Sequence, residues 1–139
     1  MKQYHDLLQD ILDKGSTTND RTGVGTLRVF GRQLRFNLEE GFPAITTKKL
    51  AWKSVVSELL WFIEGSSDER RLAEILHGSR DGGNTIWTAN AEAPYWKPKA
   101  QFEGALGRVY GVQWRDWAGK DQLKSLMKSY LSDGITPAM

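Results

Sequence analysis

Arg21 opens the chemistry of this sequence, in the run Asp20-Arg21-Thr22-Gly23-Val24-Gly25-Thr26. A guanidinium is a planar fork of N–H donors matched to phosphate. The glycines that follow allow backbone N–H groups to come close to an anion. Read alone, the same residues also make an ordinary turn carrying a surface arginine. Glu58 is the second candidate. It sits in Val55-Val56-Ser57-Glu58-Leu59-Leu60-Trp61-Phe62-Ile63, at the edge of an apolar helical stripe. A partly desolvated carboxylate suits proton transfer near neutral pH, whereas a fully solvated one is only a surface charge. Lys48, in Thr46-Thr47-Lys48-Lys49, belongs to a small basic cluster that could meet an acidic ligand or simply face water. Trp87, in Asn84-Thr85-Ile86-Trp87, and Tyr110, in Gly107-Arg108-Val109-Tyr110-Gly111, are rings that could stack on a planar heterocycle or pack in a core. Gln113-Trp114-Arg115-Asp116-Trp117 offers an aromatic pair with an ion pair.

Periodicity indicates the elements that position these residues. Tyr4, Leu7, Leu8, Ile11 and Leu12 fall at helical spacing, with Gly15 as a stop. Residues 16–20 form a polar loop. The pattern then turns to period two, with Leu34, Phe36 and Leu38 on one face. This predicts strands over 26–30 and 33–38 joined by a turn at Gly31-Arg32, with Gly41-Phe42-Pro43 breaking the second. Trp52, Val55, Val56, Leu59, Leu60 and Ile63 form one stripe that Trp61 and Phe62 widen, which predicts a mostly buried helix ended by Gly65. Ser66 and Glu69 have capping-box spacing and start a shorter helix to about His77. Residues 78–106 read as a long loop region, a place where function often sits. A last amphipathic helix carries Leu123, Leu126, Met127, Tyr130 and Leu131.

Composition narrows the chemistry. The chain has 139 residues, 40% hydrophobic and 26% charged, with a formal net charge of +2. That is an ordinary globular balance, too mild to argue for a nucleic-acid surface and compatible with a small anionic ligand. With no cysteine, the chain offers no disulfide, thiolate metal site or thiol nucleophile, and two histidines make a histidine-built metal site an unexpected feature. No stretch approaches a membrane span, no signal-peptide pattern opens the chain, and no internal repeat is visible, so the expectation is a cytoplasmic domain without membrane or nucleic-acid partners.

Taken together and in order, these segments resemble thymidylate synthase. The matching stretches are Met1-Lys2-Gln3-Tyr4, Asn19-Asp20-Arg21-Thr22-Gly23 with Gly25-Thr26, Gly41-Phe42-Pro43, Thr46-Thr47-Lys48-Lys49, Glu58-Leu59-Leu60-Trp61-Phe62, Thr85-Ile86-Trp87, Val109-Tyr110-Gly111 and Gln113-Trp114-Arg115. The likeness runs from residue 1 to about 128. It implies an α/β (α+β) fold, with helices packed on a mixed sheet that this chain leaves incomplete. It also implies reductive methylation of dUMP to dTMP with 5,10-methylenetetrahydrofolate, dihydrofolate leaving as co-product. By motif, Arg21 would bind the dUMP phosphate. Glu58 would organise water and protons, and Tyr110 would help remove the ring proton. Lys48 would meet the folate glutamate tail, and Ile86 and Trp87 would line the pterin pocket. The family dimerises through its sheet, so a homodimer is implied for the complete protein.

Family chains run roughly twice this length, and the nucleophilic cysteine lies in the half not represented here. The resemblance therefore implies that residues 1–139 are the N-terminal portion of a single thymidylate synthase domain, an inactive fragment alone, with residues 130–139 a divergent or truncated tail. Thr88 stands where an aspartate is usual, Arg108 and Ala105 where proline and aspartate are usual, and Ala51 where many members have histidine. Two alternatives accompany this reading: a pyrimidine-nucleotide hydroxymethylase relative, and a non-catalytic module that binds nucleotide, folate or another subunit.

Overall fold

The computed structural model describes residues 1–20 and 23–132. Among them are six α-helices, two short 3-10 turns and one two-stranded antiparallel sheet, so helices and strands are both present as expected, with the strand content small. The chain divides into two compact units, Met1–Leu50 and Ala51–Met139.

The first unit begins with α1 (Lys2–Lys14), whose i,i+4 pairs Lys2–Asp6 and Asp10–Lys14 brace its exposed side. Gly15 ends it, its N–H donating to the Ile11 carbonyl at 2.8 Å. Two strands follow, β1 (Ser16–Thr18) and β2 (Thr26–Arg28), in register Ser16↔Arg28, Thr17↔Leu27 and Thr18↔Thr26. This corrects the sequence reading twice. The expected polar loop at 16–20 begins as a strand. The expected strand over 33–38 is not one, and β2 pairs with Ser16–Thr18 instead of with a strand beyond Gly31-Arg32. The reason is pairing. A strand exists only where a neighbour completes its ladder, and β2 finds that neighbour in the threonine-rich segment beside it. Residues 33–37 are joined to α1 by a single side-chain bond, Gln3 Nε2 donating to the Arg35 carbonyl at 3.3 Å. No described residue of this unit is buried.

The second unit is helical. Helix α2 (Trp52–Glu64) packs against α3 (Glu69–His77) and α5 (Tyr110–Arg115); α4 (Thr88–Ala91) and α6 (Gln122–Ser132) complete it. Its core is Trp61, Leu72, Ala73, Ala91 and Ala105. Trp61 is fully buried, and its indole N–H donates to the Asp68 carbonyl at 2.9 Å, so the largest core side chain leaves no polar atom unpaired. The expected burial of α2 is only partly realised. Ser57 and Trp61 are buried, whereas Trp52, Val55, Leu59, Leu60 and Ile63 remain 42–49% exposed. The apolar arc of α2 is wider than the arc that α3 and α5 cover.

Helix α2 ends at Gly65, which takes the left-handed conformation (φ 74°) that a Cβ disfavours. Helix α3 starts differently from the capping-box expectation. Asp68 is the cap, its side chain accepting from the Arg70 N–H at 2.9 Å, and Ser66 instead accepts from the Asp68 N–H at 3.1 Å. Glu69 is thereby released from the cap and turns inward. The region 78–106 holds α4 and a 3-10 turn at Lys97–Lys99, so it is not wholly loop. No helix among the described residues is long and apolar enough to cross a membrane. None of their histidine, aspartate and glutamate side chains group in a way that could hold a metal ion.

Candidate functional site

Glu58 and Phe62 lie one turn apart on α2 and so share a face. The half-buried Glu58 accepts a hydrogen bond at Oε1 from the Trp87 indole N–H at 2.6 Å. An indole N–H is a donor only, so this pairing orients the carboxylate and the ring together. Among the described residues Trp87 is the one hydrogen-bond partner of the Glu58 side chain, which leaves Oε2 for water or a ligand.

Four rings surround that pair. Phe62 meets Trp61 at 5.2 Å between centroids, Tyr110 at 5.5 Å and 89°, Trp114 at 5.4 Å, and Trp87 at 6.4 Å and 78°. Trp87 also meets Tyr110 at 6.1 Å. All but the tilted Phe62–Trp61 pair are edge-to-face, a favourable geometry for aromatic rings. Tyr110 opens α5 and stays 57% exposed, its ring held by Phe62 and Trp87 while more than half of the residue remains open to solvent. Gly111 explains the close approach. A Cβ there would lie 2.5 Å from the Phe62 carbonyl oxygen and 2.6 Å from its Cα, so only a glycine lets α5 press against the backbone of α2.

Beside Glu58 a groove of about 450 Å³ runs between α2, α3 and residues 84–86. Val55, Leu72, Leu76 and Ile86 provide its apolar walls, Glu58 and Thr85 its polar points, with Ala51, Ser54, His77 and Asn84 at its ends. Ile86 is 81% exposed, so its side chain forms an open wall of the groove. His77 is held by Nε2 against the Asn84 carbonyl at 3.1 Å.

A feature that periodicity did not single out lies behind the groove. Glu69 is 1% exposed. Its Oε1 accepts from the Thr85 hydroxyl at 2.7 Å and the Thr88 hydroxyl at 2.5 Å, and Arg70 binds the carboxylate through Nε and Nη2. Burial pushes this carboxyl up, but the hydrogen bonds from Thr88, Arg70 and Thr85 together outweigh it and hold Glu69 below the ordinary glutamate value. Thr88, the departure from the family pattern, also accepts from the Thr85 N–H at 2.8 Å. The only sequence signal for this cluster is the threonine pair three positions apart; the glutamate that joins them is 16 and 19 residues away.

Of the six residues singled out from sequence, Glu58, Trp87, Tyr110 and Ile86 come together in the second unit. Lys48 is exposed on an irregular segment of the first unit, and Arg21 lies outside the described residues.

Comparison with known proteins identifies the family of the chain. The family model described as Thymidylate synthase matches residues 2–133. The chain is 50% identical over 123 residues to the thymidylate synthase of Enterobacteria phage T4, covering 88% of this chain and 43% of that protein. It is 47% identical over 128 residues to the probable thymidylate synthase of Escherichia phage T5, covering 92% and 46%. The crystal structure of the T4 phage enzyme superposes with a TM-score of 0.87 at 44% identity, over 98% of this chain and 47% of that one. The chain thus spans less than half the length of the relatives it matches. With eight motifs in order, a matching fold and a family model covering nearly every residue, the chain belongs to the thymidylate synthase family.

Proposed function

We propose that residues 1–139 are the N-terminal portion of one thymidylate synthase domain and carry the proton-handling and folate-facing wall of its active site. The reaction is the reductive methylation of dUMP to dTMP. The observation that carries this reading is the Trp87 indole held on the Glu58 carboxylate, with Tyr110 beside it and an apolar groove alongside. The groove fits a folate in kind: aliphatic walls and Ile86 suit a flat apolar ring system, and a carboxylate at its edge suits the polar rim of a pterin. When bound, 5,10-methylenetetrahydrofolate supplies the one-carbon unit and the hydride.

The chain's own residues do the rest of what is assigned here. Trp87 fixes Oε1 of Glu58, so Oε2 orders water and accepts or returns a proton at the uracil ring. The Tyr110 hydroxyl, on a ring clamped by Phe62, takes part in removing the ring proton. A ligand seated against Val55, Leu76 and Ile86 displaces water from the groove, which strengthens the charged hydrogen bonds inside it. Arg21 holds the dUMP phosphate and Lys48 meets the glutamate tail, both by family resemblance. The thiol nucleophile is not among these 139 residues, since the chain has no cysteine. The working enzyme, a homodimer in this reading, draws it from elsewhere.

A chimera tests this, joining this chain to the downstream portion of the T4 phage enzyme. Glu58→Gln in that chimera should lower kcat by far more than it raises the KM for dUMP, because proton handling belongs to the transition state. An effect on KM alone would make Glu58 a binding residue and reject the role given to it.

A further inference from the structure

The turn 85–88 is anchored from behind by a charge that its helix does not need. Asp68 already caps α3, yet the next residue is a glutamate 1% exposed, and burying a carboxylate is costly unless it is fully partnered. Among the described residues, every hydrogen-bond partner of the Glu69 side chain except Arg70 belongs to the turn that carries Trp87. The Thr85 hydroxyl donates to Glu69 at 2.7 Å and accepts from the Trp87 backbone N–H at 3.1 Å. The Thr88 hydroxyl donates to the same Oε1 and accepts from the Thr85 N–H at 2.8 Å. Arg70 neutralises the carboxylate and reaches Thr88 Oγ1 at 3.3 Å. The backbone on both sides of Trp87 is therefore tied to one oxygen, while its indole points the other way, to Glu58.

We infer that Glu69 is a positioning residue, acting through Thr85 and Thr88 to hold the Trp87 indole N–H against the Glu58 carboxylate. The inference rests on the proposed function only for its consequence, that this pair faces bound ligands. The positioning itself is read without any turnover. Loss of turnover in the chimera with the positioning intact would count against the functional reading alone.

The test uses the full 139-residue chain labelled with ¹⁵N-tryptophan, the Trp87 and Trp96 indole signals being assigned through Trp87→Phe and Trp96→Phe. Trp96 is the internal control, because its N–H goes to the Ala105 carbonyl at 2.7 Å, away from the turn, whereas the Trp61 ring lies 6.1 Å from that of Trp87 and would feel its movement. Thr88→Val keeps the shape and removes the hydroxyl; Thr88→Ser keeps the hydroxyl. Thr88→Val and Glu69→Gln should each displace the Trp87 signal, with Trp96 unchanged and Thr88→Ser at the parent position. The double variant should shift Trp87 no further than either single change, since both cut one path. The inference is overturned if Trp87 keeps its parent signal in Thr88→Val, if Thr88→Ser behaves as Thr88→Val, or if the double effect is additive. It is also overturned if Trp96 and Trp87 move together, the signature of general loosening or unfolding.

Discussion

Replacing Glu69 with alanine removes the only acceptor that the Thr85 and Thr88 side-chain hydroxyls share, and it strips Arg70 of its bidentate partner. Hydrogen bonds to a charged group are each worth roughly 1.5–3 kcal/mol, and removing one side of a buried pair costs about 3–5 kcal/mol in all. Arg70 keeps 21% of its side chain exposed, so water recovers part of its hydration and the expected loss is near the lower end, about 3 kcal/mol. Glu69→Gln keeps the volume and one acceptor and should cost roughly 1–2 kcal/mol. Domains are held by about 5–15 kcal/mol, so the alanine change alone threatens the fold. Urea unfolding of dilute protein, followed by tryptophan fluorescence and far-ultraviolet circular dichroism, reads the effect as a midpoint lowered by about 1–3 M for a typical slope. The acid limb carries the sign. Because the folded state holds Glu69 below its ordinary value, its contribution is full above the unfolded pKa and disappears as pH falls through the folded one. Asp10, bonded to Lys14 and Arg32, and Glu64, bonded to Arg71, are lowered too, so Glu69→Gln should flatten the acid loss of stability without abolishing it. An alanine variant within about 0.5 kcal/mol of the parent, or an unchanged acid slope in the glutamine variant, refutes the reasoning.

Gly111→Ala forces a methyl group against the backbone of Phe62, which cannot yield as a side chain tip can, and should destabilise the second unit by roughly 1–3 kcal/mol or more in the same urea experiment. The isolated chain should bind a hydrophobic dye and associate with rising concentration, because Trp52, Val55, Leu59, Leu60 and Ile63 expose one apolar helix face; a chain that stays monomeric at high concentration and gives no dye signal contradicts this. In the chimera, Arg21→Ala should weaken dUMP binding about tenfold to a hundredfold by calorimetry, with folate affinity less affected, since one charge-assisted contact to phosphate is lost.

What the sequence made legible follows from the range of the forces involved. The helix at Tyr4–Leu12 and the one at Trp52–Ile63 were readable because their side chains repeat within a few residues and Gly15 and Gly65 stop them. Glu58 was readable as an edge position on such a stripe. Its pairing with Trp87 was not, because 29 residues separate them and only the packing of α2 against the turn brings them together. The strand expected over 33–38 had the right alternation, but alternation does not supply a partner, and the ladder formed between Ser16–Thr18 and Thr26–Arg28. Glu69 was misread for a similar reason. Its spacing from Ser66 fits a capping box, but Asp68 occupies the cap and leaves the glutamate free to serve Thr85 and Thr88. The resemblance of eight short motifs reached further than local pattern did, since family order encodes the three-dimensional neighbourhood that periodicity does not.

Tritium release from ring-labelled dUMP in the presence of 5,10-methylenetetrahydrofolate tests the central claim most directly. The account predicts no release by the pure 139-residue chain, which has no thiolate to add to the ring, and clear release by its chimera with the downstream portion of the T4 phage enzyme. Release by the chain alone, or none from a folded chimera that binds dUMP, contradicts it.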